Sequence, residues 1–556
     1  MSDVDTVVIG SGAGGMAAAL VLAQAGERVL VCEQHYVPGG WCHSFTLGGY
    51  RFSPGVHYIG ELGEGGGLRE LYEGLGLAND LEFFQLDPAG YEVARIGDAE
   101  PFRYPAGKDA LIAALSQRFP AEAKGISRYV ETLQRLSDQL ALLSRVRGPL
   151  DALLLPWRAR TVVRHGFGSL EKLQRRYLRD PLLRQICSVQ GGDYGLPPHR
   201  TPAVLHGALA EHYFEGGWYP RGGGFALPRA FLRGLKRAGG ELKLRAEVSE
   251  ILTEGRPGKL RAIGVRLADG TEVRAKRVIS NADPRVTFRL VGHERLSVKL
   301  RKKLAKTRYS CAVLSLFLAV DMDLRAAGLT SGNLWWSEGV DVDPYAAVQD
   351  PSRWEELGPA GLFLTATTLK DPTKHAQGRH LLEVFCMVPY EPFRRWEGTE
   401  HGQRGAAYEA LKARWSERIL AVVERLVPGV RDAIAFQELG TPLTNDFYVA
   451  ASEGSIYGIE KTLDQLGPGA FPLQTEVTDL HMCGASTLSH GVVGATRSGI
   501  AVAKGILGVR QRELYRYGEG QRLRCYSAED PSAWPEEIQR AAARARERGE
   551  PVSSDA

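Results

Sequence analysis

The chain has 556 residues, of which 69 are Lys or Arg and 65 are Asp or Glu, giving a formal net charge of +4. That even balance gives no reason to invoke nucleic acid, which wants a strongly basic face, and the length asks for two domains rather than one core. Seven cysteines, scattered from position 32 to 525 without metal or disulfide spacing, predict a reducing compartment and no metal centre.

Residues 6–9, Thr-Val-Val-Ile, are a short β-branched run of the kind that forms a buried parallel strand. The strand is too short for a secretory leader and meets a glycine loop at once. That loop, Gly10-Ser11-Gly12-Ala13-Gly14-Gly15, matches G-x-G-x-x-G at Gly10, Gly12 and Gly15. A helix is predicted over 16–24, closed by Gly26, and then a second strand over 28–32 that ends in Glu33. Gly10 makes the turn, Gly12 lets a pyrophosphate approach the backbone, and Gly15 lets the helix pack on the strand. The helix N-terminus, with Ala13 and Gly14, offers N–H groups and partial positive charge to phosphates. Glu33 follows Gly15 by 18 residues, where a carboxylate accepts from both ribose hydroxyls and repels a 2′-phosphate. The nucleotide is therefore FAD or NAD, not NADP.

Past Glu33 comes Gln34-His35-Tyr36-Val37-Pro38-Gly39-Gly40-Trp41-Cys42-His43-Ser44, and then a segment ending His57-Tyr58-Ile59-Gly60. This stretch closely resembles the retinol saturase and carotenoid isomerase branch of the phytoene desaturase-like flavoproteins. Arg221-Gly222-Gly223-Gly224, Asn281-Ala282-Asp283, Gly454-Ser455-Ile456-Tyr457-Gly458 and Gly491-Val492-Val493-Gly494 extend the likeness, in order, to about residue 508. The resemblance implies FAD as cofactor. It implies that Gly39 and Gly40 approach the ribityl and pyrophosphate with Ser44 close by, and that Gln34 belongs to the cofactor site. It also implies that Val248 brings backbone to the adenine, that Asn281 returns beneath the nucleotide, and that Gly484 and Gly491–Gly494 cover the isoalloxazine. His57 and Tyr58 are implied at the flavin edge as catalytic candidates. Ser53 departs from the pattern, because relatives carry an acid there.

The expected fold is α/β: a discontinuous Rossmann-type FAD-binding domain of the glutathione reductase/amine oxidase kind with an inserted α+β substrate domain. The first takes residues 1–70, 216–295 and 470–510; the second takes 71–215 and 296–469. The block 71–215 reads as largely helical, with helical spacing over 126–144; strands are expected at 311–320 and 380–388, and a helix at 405–426. Residues 511–556 read as a charged helix with a frayed end. No second G-x-G-x-x-G follows a strand, so a separate NAD(P)H domain is not expected.

A bound flavin moves hydride by itself, so the sequence needs no Ser–His–Asp set, and Cys42 reads as a buried thiol rather than a nucleophile. No apolar run approaches the ~18 residues of a transmembrane helix. Residues 150–165 join a leucine cluster and Trp157 to four basic side chains, a composition suited to a membrane surface. The expected protein is cytoplasmic, touches the inner face of a membrane through 150–165, and acts on a C=C bond of a large apolar polyene. Saturation leads, with desaturation or cis–trans isomerisation behind it, and then a non-catalytic flavin or lipid binder.

Overall fold

A computed structural model describes residues 3–143, 153, 157–376 and 378–547. Its first sheet grows from the sequence pattern just read. Strand β1 (Val4–Ile9) lies parallel to β2 (Val29–Cys32) on one side and to strand Glu272–Ser280 on the other. Strands Glu241–Lys243 and Leu480–Met482 extend the parallel set, and an antiparallel pair, Val248–Arg256 with Lys259–Leu267, completes a seven-stranded sheet. Every strand of this sheet falls within 1–70, 216–295 or 470–510.

Helix α1 (Ala13–Gln24) is apolar all round, and Gly14 to Ala23 are buried, as a helix sandwiched on both faces must be. It packs against helix Gly491–Leu507 and helix Ala226–Arg237. The crossing with the former is so close that a Cβ on Gly499 would stand 1.9 Å from the Gly14 carbonyl oxygen. Small residues on both helices thus tie the chain's C-terminal region to its opening motif.

The second sheet also has seven strands, in the order Ile434–Gly440, Ala312–Val320, His380–Val388, Gly361–Ala366, Asn333–Ser337, Glu92–Ile96, Phe102–Tyr104. Its strands come from 71–215 and 296–469, so the first of those blocks is not purely helical: it supplies the edge of the sheet as well as helices Ala123–Leu143, Leu170–Tyr177 and Ala203–Tyr213. The period-2 alternation of a strand sorts the side chains. Leu314, Leu316, Leu318, Leu334, Leu362 and Leu364 join a core with helix Ala406–Leu426, whereas Trp335 and Phe363 point the other way, into an open chamber. Phe393 and Trp396 belong to that core, packed around Trp354 and Trp415.

The stretch after Gln511 does more than form the charged helix expected of it. Strand Arg524–Ser527 pairs in parallel with Glu82–Gln85, which also pairs with Trp218–Pro220 and so bridges the two domains. Trp534, Ile538 and Ala542 then bury themselves with Phe84, and helix Glu536–Arg546 carries the last two of these contacts. Four or five apolar residues spread among many charges gave no periodic signal, yet they suffice to anchor the segment.

Among the described residues no single helix is long and apolar enough to cross a membrane.

Candidate active site

In a parallel sheet, ligands gather beyond the carboxyl ends of the strands. Here four such ends converge. β1 delivers Gly10, whose N–H donates to the Cys32 carbonyl at 2.8 Å; β2 delivers Glu33; Glu272–Ser280 delivers Asn281; and Leu480–Met482 delivers Gly484. The loop is tight because Gly15 allows it: a Cβ there would lie 2.2 Å from the Gly10 carbonyl oxygen. Asn281 Oδ1 accepts from the Gly15 N–H at 2.9 Å and so locks the loop to the neighbouring strand. Gly40 faces Gly12 so closely that its Cβ would stand 3.4 Å from the Gly12 Cα, and both glycines border the cavity described below.

Glu33 is buried. Its Oε2 accepts from the Ser11 N–H at 2.9 Å and the Ser11 hydroxyl at 2.6 Å, and its Oε1 accepts from the His35 N–H at 2.9 Å. A carboxylate has about four acceptor positions, so Glu33 holds the loop in shape and keeps capacity for a ribose hydroxyl. On the far side, helix Gly491–Leu507 begins at the cavity wall, presenting the unpaired N–H groups of its first turn. The buried Lys461 ammonium donates to the Ala485 carbonyl beside it at 2.8 Å, and burial pulls its pKa down to about 7.

These walls open into one cavity of about 1080 Å³ that continues from the glycine loops to the second sheet. Its inner end is lined by His57, Tyr58, Tyr213, Trp335, Phe363 and Phe385. His57 lies in the loop between strand Tyr50–Phe52 and Ile59, with its Nε2 2.9 Å from Glu383 Oε2, beside the rings of Phe363 and Phe385. Glu383 is fully buried, and its other oxygen accepts from the Ser53 N–H at 3.0 Å. An acid therefore does reach position 53, but from strand His380–Val388 of the other domain. Lys370, also fully buried, donates to the His57 carbonyl and to Asn333 Oδ1, each at 2.5 Å, and burial pushes its pKa far down. Tyr58 stacks on Tyr213 at 4.3 Å, and its hydroxyl lies 2.5 Å from Glu92.

Nearer the surface, His212 Nε2 accepts from the Gly60 N–H at 3.0 Å, which leaves the ring proton on Nδ1 to donate to Glu61 at 3.1 Å. Arg497 pairs with the same carboxylate. Burial works against an ionised Glu61, yet His212 and Arg497 outweigh it and bring its pKa down to about 2.

Of the residues singled out from sequence, Gly12, Ala13, Gly39, Gly40, His57, Tyr58, Asn281, Gly484 and Gly491–Gly494 border this cavity. Gly10, Gly14, Gly15 and Glu33 build the loop from behind. Gln34 is exposed beyond it, Ser44 accepts from the Phe225 N–H at 3.3 Å, and Val248 packs in the core beside Val7 and Cys32. Cys42 is buried with its thiol pushed up to about 12, no nucleophile at neutral pH. Sequence reasoning missed Glu92, Asp193, Lys370, Glu383 and Lys461. Glu383 did leave a trace, as the one acid inside the otherwise apolar strand run His380–Val388.

The chain is similar to all-trans-retinol 13,14-reductase of Rattus norvegicus, 31% identical over 92% of this chain and 86% of that one. It is also similar to prolycopene isomerase of Arabidopsis thaliana, 29% identical over 90% and 82%. An oxidoreductase structure from Methanosarcina mazei shares the fold, with a TM-score of 0.63 at 19% identity, covering 90% of this chain and all of that one. Flavin containing amine oxidoreductases match residues 13–507. Family, fold and site agree, and the chain belongs to the flavin-containing amine oxidoreductases.

Proposed function

We propose that the protein binds FAD and uses it to reduce a C=C bond in a large apolar polyene of the retinoid or carotenoid kind. The observation that carries this reading is the single cavity that joins a dinucleotide cradle to an aromatic chamber. Gly12 and Gly40 come together at the cavity edge, where backbone without Cβ can meet a pyrophosphate, Glu33 keeps an acceptor for the ribose, and the N-terminus of Gly491–Leu507 opens on the same space. That donor set suits a dinucleotide flavin better than a mononucleotide one. The relatives that reduce retinol or isomerise prolycopene, by their names, support a conjugated substrate.

Bound FAD supplies a two-electron hydride centre. The chain supplies the rest. Trp335, Phe363, Phe385 and Tyr213 form an aromatic wall on which a flat polyene would stack. His57 and Tyr58 put polar groups on that wall, His57 oriented by Glu383 and Tyr58 by Glu92. Saturating a double bond needs a proton on the second carbon, and the Tyr58 hydroxyl is placed to give it. His57, held beside two rings, fixes the substrate's polar end.

The substrate comes from a lipid surface. Leu153, Trp157, Val163 and Phe167 are exposed, Trp157 by 85%, with Arg158, Arg160 and Arg164 exposed among them. Residues 150–152 and 154–156 of the same expected segment lie outside the described residues. The turn Val162–Gly166 packs on helices Ala123–Leu143 and Ala203–Tyr213, which give Leu140, Leu205 and Leu209 to the cavity wall. Apolar side chains in the acyl boundary with arginines at the headgroups would set the cavity against the membrane, on its cytoplasmic face.

The test is product mass. Dithionite-reduced protein, incubated anaerobically with a panel of retinoids and carotenoids, should return a product heavier by two hydrogens. A loss of two hydrogens, or an unchanged mass with altered geometry, would assign desaturation or isomerisation instead.

A further inference from the structure

Two carboxyl groups meet on one hydroxyl inside the chamber. Glu92 Oε1 and Asp193 Oδ2 each lie 2.5 Å from the Tyr58 hydroxyl oxygen. A phenol carries one proton and can donate it to only one of them. The other contact, at that distance between two oxygens, requires a proton on the carboxyl itself.

Which acid carries it follows from the remaining partners. Glu92 is fully buried and receives the Trp335 indole N–H at 2.9 Å and the Gln190 amide at 2.7 Å, in addition to Tyr58. Three donors converge on it, the environment of a carboxylate anion. Asp193, at the end of the helical turn Val189–Asp193, has no hydrogen-bond partner for its carboxyl among the described residues other than Tyr58, and it borders the cavity. We propose that Asp193 is held as a neutral carboxylic acid donating to Tyr58, and that it is the proton store from which the Tyr58 hydroxyl is replenished after each reduction.

The electrostatics agree. Burial and the nearby Glu92 charge push Asp193 well above the usual carboxylate range. Burial raises Glu92 as well, but its hydrogen bonds from Tyr58, Trp335 and Gln190 and the Lys370 charge oppose that rise. The other ionisable groups around Asp193 are Tyr91, Tyr194, Tyr213, Tyr345 and Tyr457, all pushed up by burial and so neutral. His490, bonded to the Asp193 backbone, is brought down to about 3 by burial and is neutral too. Glu92 is then the charge that faces Asp193, with Lys370 beyond it.

The inference rests on the reading of Tyr58 given above, and its chemistry balances. Bound FAD, once reduced, would supply the hydride for a new C–H bond at one olefinic carbon. The π pair takes the Tyr58 proton at the other carbon, and the O–H bond breaks. The phenolate recovers a proton from Asp193, leaving an Asp193 carboxylate that solvent protons reload through the cavity. The substrate gains two electrons and two hydrogens, and the flavin is oxidised.

Infrared difference spectroscopy of the oxidised, substrate-free holoenzyme tests this apart from turnover. At neutral pH a protonated-carboxyl C=O band is expected that shifts in D2O, disappears in Asp193→Asn, and moves in Tyr58→Phe, where the acid loses its acceptor. In Glu92→Gln the band should titrate away at lower pH, because the opposing charge is gone. Over successive turnovers Asp193→Asn should slow the steady rate by roughly 10²-fold, the scale of general acid catalysis, and flatten the alkaline limb of its pH profile. The first flavin reoxidation, which draws on the proton already on Tyr58, is spared. Absence of any protonated-carboxyl band in the wild type, or a band that survives in Asp193→Asn, would overturn the assignment. Should Asp193→Asn not fold, the wild-type band and its displacement in Tyr58→Phe still decide. Failure of the polyene reading would show in product mass and leave the infrared result untouched.

Discussion

At Gly15 one methyl group would land 2.2 Å from the Gly10 carbonyl oxygen, and neither side of that contact is a flexible side chain. Gly15→Ala must therefore distort the loop that Asn281 fastens. The expected outcome is at least tenfold weaker FAD binding, about 1.4 kcal/mol, measured by flavin fluorescence titration of apoprotein. Glu61 makes a different claim. Its folded pKa of about 2 lies below the ordinary value of 4.5, so its contribution to stability is present above pH 4.5 and is lost as pH falls through 2. The shift corresponds to roughly 3 kcal/mol. Glu61→Gln should cost up to that amount in denaturant unfolding at pH 7, and the gap to wild type should narrow steadily below pH 4.5. A constant gap across that range would show that His212 and Arg497 do not act through the Glu61 charge. At this scale the sequence was eloquent about glycines and nearly silent about acids. A Cβ-free residue in a G-x-G-x-x-G register has one reason to be there. Glu92, Asp193 and Glu383 are ordinary letters until the fold brings positions 58, 92 and 193, or 53, 57 and 383, together.

Between helices, the contact of α1 with Gly491–Leu507 depends on Gly499 lying against the Gly14 carbonyl. Gly499→Ala places a Cβ on rigid backbone from both sides, so the helices must separate. A loss of about 1–3 kcal/mol is expected from overpacking, read as a lower unfolding midpoint, together with partial loss of flavin because the moved helix starts at the cavity wall. The strands that sequence identified, such as 311–320 and 380–388, stand within a residue of Ala312–Val320 and His380–Val388 because buried runs of β-branched and aromatic residues are their own signal. Glu82–Gln85, Trp218–Pro220 and Arg524–Ser527 are three or four residues each, paired across some 440 positions of sequence, and no local pattern announces them.

Over the whole molecule, one sheet brings the glycine motifs together and the other builds the chamber, and the cavity exists because the two meet. Motif order along the chain made the first domain legible; the second, with no ligand-binding signature of its own, was legible only as apolar blocks. The exposed Leu153, Trp157, Val163 and Phe167 belong to this scale too, since they matter by their place relative to the cavity. Replacing Trp157 and Phe167 together by Ala should reduce cosedimentation with anionic phospholipid vesicles roughly tenfold or more, given about 1.5–3 kcal/mol for each fully buried large side chain, while leaving reduction of detergent-dispersed substrate intact. Unchanged vesicle binding would locate the membrane contact elsewhere.

The central claim, that reduced FAD in this cavity gives its electrons to a polyene, is tested most directly by the flavin's own absorbance. Anaerobic, photoreduced holoenzyme mixed with a retinoid or carotenoid should regain the yellow oxidised spectrum at a rate that rises with polyene concentration and saturates. A flavin that stays bleached with every polyene, yet recolours when oxygen is admitted, would contradict it.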